Sequence, residues 1–169
     1  MEGEIINKVD QSGLVSIDME AWYSDFPYAI YDIKQNLFQE LILREKEFRT
    51  FLKEKDWSEM EGKHVFLVCS ADAIVPTWAY MLLAGKLQNV AKSVEFTSES
   101  SILEKIFKKI IEEIEAEKYR NLKVVVKGCS KVDVPVNAYV ELTNKLQPVV
   151  QSLMFGEPCS TVPIYKKMK

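Results

Sequence analysis

The sequence predicts an α/β fold, a single three-layer domain over residues 1–169 with a mostly parallel sheet. Three observations lead there. From Lys63 onward, short apolar runs alternate with stretches of helical spacing. Two of those helical stretches open on a proline, which suits a first turn where the missing N–H has no partner anyway. Two β-loop-α segments also resemble each other closely enough to read as related units.

Residues 1–62 supply strands and a long helix. Leu14–Asp18 and Tyr28–Asp32 read as strands at or near the sheet edge, where a hairpin would make them antiparallel. The long helix is expected from Ile33 to Lys55, burying Leu37, Phe38, Leu41, Ile42, Phe48, Phe51 and Leu52. Residues 63–169 form the repeat region. His64–Val68 is a strand, Pro76–Leu87 a helix and Ser93–Phe96 a second strand. Ser101 and Glu104 have the spacing of a capping box. Leu103, Phe107, Ile110, Ile111 and Ile114 then repeat at helical spacing. Leu122–Lys127 follows as a strand, Val136–Leu146 as a helix and Val149–Phe155 as the last strand.

The repeat is specific. Val75-Pro76, Ala79-Tyr80, Lys86-Leu87-Gln88 and Val90 recur as Val134-Pro135, Ala138-Tyr139, Lys145-Leu146-Gln147 and Val149. Ahead of the prolines the copies match with a one-residue difference, Lys63, Val65, Cys69 and Ser70 against Lys123, Val125, Cys129 and Ser130.

An apolar share of 47% and a charged share of 28% suit a globular chain. The net charge of -3 gives no reason to expect nucleic acid. No apolar run approaches the ~20 residues that span a bilayer, so no membrane role is expected. The start, Met1-Glu2-Gly3-Glu4, does not read as a secretory signal, and a cytoplasmic setting with reduced thiols is expected. Nucleotide fingerprints, phosphate loops and Ser-His-Asp arrangements are missing from the sequence.

The chemistry points to the 3 cysteines, each in a Cys-Ser pair with Val-Pro soon after. An odd count argues against a disulfide framework. Cys69 and Cys129 follow strands and precede helices, and Cys159 follows the last strand, so all three are expected at the carboxyl edge of the sheet. Cys69, Cys129 and Cys159 are candidate ligands of zinc or an iron–sulfur cluster, with one coordination position left open. Ser70, Ser130 and Ser160 are candidate donors to a thiolate, a bound sulfide or an anion. Alternatively, Cys69 or Cys129 is a nucleophile in sulfur transfer. A third reading makes the cysteines structural and the domain an anion-binding or interaction scaffold.

Neighbouring residues have plainer readings beside functional ones. Asp72 and Asp133 read as helix caps or oxygen ligands. Tyr80 and Tyr139 read mainly as packing, with hydroxyls able to face the site, and Trp78 reads as core. His64 stands ~16 Å from Cys69 along one strand, too far for a shared site.

Four stretches carry a family resemblance: Leu43-Arg44-Glu45-Lys46-Glu47-Phe48-Arg49, Cys69 through Tyr80, Val126-Lys127-Gly128-Cys129-Ser130, and Gly156 through Pro163. Over nearly its whole length the chain resembles a Bacteroidetes-type family that carries a domain-of-unknown-function label. The resemblance implies a place beside iron–sulfur assembly genes, hence a protein partner in iron–sulfur or sulfur metabolism. It assigns no catalytic residue.

Overall fold

The computed structural model describes residues 8–9, 13–128, 131–157 and 159–168. The α/β class is as expected. Contacts divide the chain into two compact units, residues 27–102 and residues 1–26 with 103–169. The divisions thus fall beside Pro27 and Leu103, not near residue 62.

The split unit begins with strands β1 (Lys8–Val9) and β2 (Leu14–Ile17), paired antiparallel, and helix α1 (Met19–Asp25). Asp18 caps α1, its carboxylate accepting the Ala21 amide at 3.1 Å. The expected hairpin between the 14–18 and 28–32 strands is not formed. Those strands belong to different sheets, with α1 between them in the chain.

The inserted unit opens with β3 (Tyr28–Asp32). The expected helix from Ile33 to Lys55 is replaced by a 3-10 turn (Ile33–Asn36), a small hairpin of β4 (Leu37–Phe38) and β5 (Ile42–Leu43), and helix α2 (Glu45–Glu54). Local structure overrides helix propensity here. Asp32 caps the 3-10 turn through the Lys34 amide at 3.0 Å, and Tyr31 donates its hydroxyl to Asn36 Oδ1 at 2.6 Å. Gln39 and Glu40 then take positive φ of 52° and 59°, which no helix allows. Phe38, Leu41 and Ile42 are exposed rather than buried, and Arg44 sits 3.5 Å over the Phe38 ring.

Next come β6 (His64–Val68), α3 (Thr77–Leu87) and β7 (Ser93–Phe96). The sheet runs β3-β6-β7, all parallel. All five residues of β6 are buried, as a central parallel strand requires. His64, at the start of β6, is buried with Nδ1 2.7 Å from Ser93 Oγ. Ala79, Leu83 and Leu87 of α3 meet Val65, Leu67, Tyr31, Phe48 and Trp57 in the unit's core. Full burial of each such leucine contributes roughly 1.5–3 kcal/mol.

The chain returns to the split unit through a 3-10 turn at Glu99–Ser101 and helix α4 (Ile102–Glu113). Then follow β8 (Lys123–Val126), α5 (Val136–Leu146), β9 (Ser152–Glu157) and β10 (Ser160–Lys166). The sheet order is β1-β2-β8-β9-β10, parallel at its centre and antiparallel at both edges. Lys145 Nζ of α5 donates to the Glu112 carbonyl at 2.7 Å, satisfying an orphan acceptor near the end of α4. The strands therefore fill two principal sheets where the sequence reading has one. Among the described residues, no helix is long and apolar enough to cross a membrane.

Candidate functional site

The two β-loop-α units are real and closely superposable in pattern. In one, β6, α3 and β7 follow each other beside β3. In the other, β8, α5 and β9 do so beside β2. His64 pairs with Ser93 and Lys123 with Ser152, so the strands are offset by 59 residues (123 less 64), as are Pro76 and Pro135. Gly62 and Asn121, also 59 apart, both adopt positive φ, 69° and 59°. Their amides donate to Val90 and Val149.

This corrects the alignment ahead of the prolines. Lys63 and Val65 do not correspond to Lys123 and Val125, because a one-residue slip turns a strand over. Lys123 corresponds to His64, and Gly128 takes the place of Cys69. Cys129 comes one residue later. Cys129 and Ser130 themselves lie outside the described residues.

Cys69 sits at the carboxyl end of β6, half-buried, with its thiol directed to the Ala71 carbonyl at 3.5 Å. The Tyr80 phenol lies within electrostatic reach of the same sulfur. Tyr80 stands one turn into α3, and its ring packs edge-on against Phe96 with centroids 4.8 Å apart. Burial first, then the negative field of Cys69 and Asp32, pushes its phenol above the ordinary value. Tyr80 therefore keeps its proton at neutral pH. Tyr139 repeats the packing in the other unit, 5.6 Å from Phe155.

The loop after Cys69 is held from β3. Ser70 donates its amide to Asp32 Oδ1 at 3.1 Å and its hydroxyl to Asp32 Oδ2. Burial acts to raise Asp32. The Ser70 hydroxyl, the Lys34 and Ser70 amides and the Lys34 charge outweigh it and hold the carboxyl below the usual range. Asp72 and Asp133 do not cap α3 and α5. Both are exposed, and Pro76 and Pro135 take the cap positions with no side-chain bond. In the split unit the corresponding hold comes from Glu20 of α1, whose Oε1 accepts the Lys131 and Val132 amides, the latter at 3.0 Å. Asp32 and Glu20 are absent from the sequence-derived site. Their only signal is that the strands expected at 14–18 and 28–32 each end on an aspartate, Asp18 and Asp32.

The third Cys-Ser/Val-Pro copy is not a β-loop-α unit. Cys159 is exposed at the turn joining β9 to β10, and Ser160 begins β10. Pro163 lies in β10, an edge strand, where a missing N–H is tolerated. Gly156 makes the turn possible: its φ is 122°, and a Cβ there would meet the Ser160 carbonyl oxygen at 2.6 Å. Cys69 and Cys159 thus end strands of different sheets in different units. Among the described residues, no three His, Cys, Asp or Glu side chains gather at metal-binding spacing.

A family model described as protein of unknown function (DUF2480) matches residues 3–167, and the chain belongs to that family. No curated protein and no solved structure matches it.

Proposed function

We propose that this member of the DUF2480 family is a cysteine-dependent sulfur-transfer protein that accepts persulfide sulfur on Cys69. The observation that carries the reading is the free, half-buried Cys69 thiol at the carboxyl end of β6, with the Tyr80 phenol within its electrostatic reach. The Tyr80 ring already has Phe96 as a packing partner, so its hydroxyl is not needed to complete the core. Carboxyl ends of parallel strands are where open α/β sheets collect ligands.

In the transfer step the Cys69 thiolate attacks the outer sulfur of a persulfide donor. A new S–S bond forms, the donor's S–S bond breaks, and the donor leaves as a thiolate. Sulfur moves at its own oxidation level, and no outside oxidant is required. The Asp32–Ser70 hold fixes the loop before a donor arrives, which limits the ordering cost at the reacting sulfur.

Alkylation by iodoacetamide at neutral pH, followed by peptide mapping, tests the thiol. Cys69 is expected to react in the folded protein, and more slowly in Tyr80→Phe. Anaerobically purified protein is assayed for iron, zinc and acid-labile sulfide alongside. Iron with sulfide in fixed proportion to protein, lost in Cys69→Ser, would replace sulfur acceptance with cluster binding as the role of Cys69. A Cys69 that stays unmodified until the protein unfolds would leave it a packed thiol without chemistry.

A further inference from the structure

A groove of roughly 380 Å³ lies between α2 and α3, within the inserted unit and separate from the Cys69 edge. We propose that it docks an acidic amphipathic helix of a partner protein. Its lining includes Leu52, Leu82 and Met81. Met81 is 69% exposed, and its flexible thioether adapts to a range of apolar partners. Arg49, Lys53, Gly85 and Lys86 complete the lining, so three basic side chains stand beside apolar ones on a chain whose net charge is -3. Arg49 also pairs with Glu45 at 2.8 Å, a surface ion pair of the kind that rearranges at little cost.

Gly85 is the second, independent observation. It lies inside α3, where glycine costs about 1 kcal/mol relative to alanine. Among the described residues, no heavy atom beyond its chain neighbours and its own helix backbone lies within 4 Å of where its Cβ would be. The fold therefore has no need of a bare backbone at this point. A helix laid into the groove has one, because the missing side chain lets its own backbone come close. Apolar residues on one face of that helix meet Met81 and Leu82, and flanking carboxylates meet Lys53 and Lys86.

The test uses the full chain and a fluorescent synthetic amphipathic helix with leucines on one face and glutamates flanking them. Anisotropy is expected to report binding that weakens with salt, with amide NMR shifts centred on Met81, Leu82 and Gly85. Lys53→Glu with Lys86→Glu should weaken binding by about tenfold or more, since like charges then face each other. Gly85→Leu should abolish binding while the thermal midpoint holds or rises, so lost binding cannot be laid to lost fold. Equal binding of a peptide with lysines in place of glutamates would overturn the proposal. So would full binding by Gly85→Leu, no binding at all, or a concentration-dependent dimer that buries the same residues.

Discussion

Asp32 accepts both the amide and the hydroxyl of Ser70, tying the residue next to Cys69 to a strand that lies 38 positions earlier in the chain. The thiol's setting is therefore built from three places: the end of β6, the first turns of α3 and the end of β3.

Asp32→Asn should lower stability by ~1–2 kcal/mol, discounted for the partial exposure of the site. It should also change the pH dependence. Hydrogen bonds hold Asp32 below its usual range, so its contribution is complete above the unfolded-state value of ~3.9 and is lost as pH falls through the folded value. Urea midpoints measured from neutral pH downward should fall less steeply below ~pH 4 in the variant than in wild type. Parallel curves would show that Asp32 carries no linkage.

Tyr80→Phe keeps the ring against Phe96 and removes only the hydroxyl. Stability should change by less than ~1 kcal/mol, while alkylation of Cys69 at neutral pH should slow by about fivefold if the phenol's polar group assists the thiol, a difference of ~1 kcal/mol. Equal rates for the two proteins would remove the phenol from the account.

Gly62 and Asn121 test the 59-residue correspondence. Both sit at positive φ, which asparagine tolerates and β-branched residues do not. Gly62→Asn should cost less than ~1 kcal/mol and Gly62→Val about 2 kcal/mol. Chemical denaturation of both variants reads the difference, and similar losses in the two would break the correspondence.

Gly156→Ala places a Cβ against the Ser160 carbonyl at a φ that side chains avoid. It should destabilise by ~1–3 kcal/mol and speed hydrogen exchange in β9 and β10. Unchanged protection in those strands would mean that the hairpin relaxes around the methyl group.

Much of residues 63–169 could be read from the sequence because local pattern and packing agree there. His64–Val68 and Val136–Leu146 form as expected to the residue, since an all-apolar run and a helical stripe each leave one solution. Residues 33–44 could not be read. Gln39 and Glu40 turn the chain at positive φ without the glycine or asparagine that marks such turns. The strand at Ser160–Lys166 has no counterpart in the sequence reading, because Val-Pro precedes a helix twice and sits in an edge strand the third time. The placement of Cys69 and Ser70 just after a strand was legible from the motif, and the packing of Tyr80 from the repeat. Asp32 was not, because no local pattern pairs a carboxylate with a serine so far along the chain.

The central claim is that Cys69 receives sulfur, and the most direct measurement is peptide mass mapping after brief exposure of the folded protein to glutathione persulfide. The expected result is one added sulfur on the Cys69 peptide, none there in Cys69→Ser, and slower loading in Tyr80→Phe. Sulfur added only at Cys129 or Cys159, or none at any cysteine, would contradict the account.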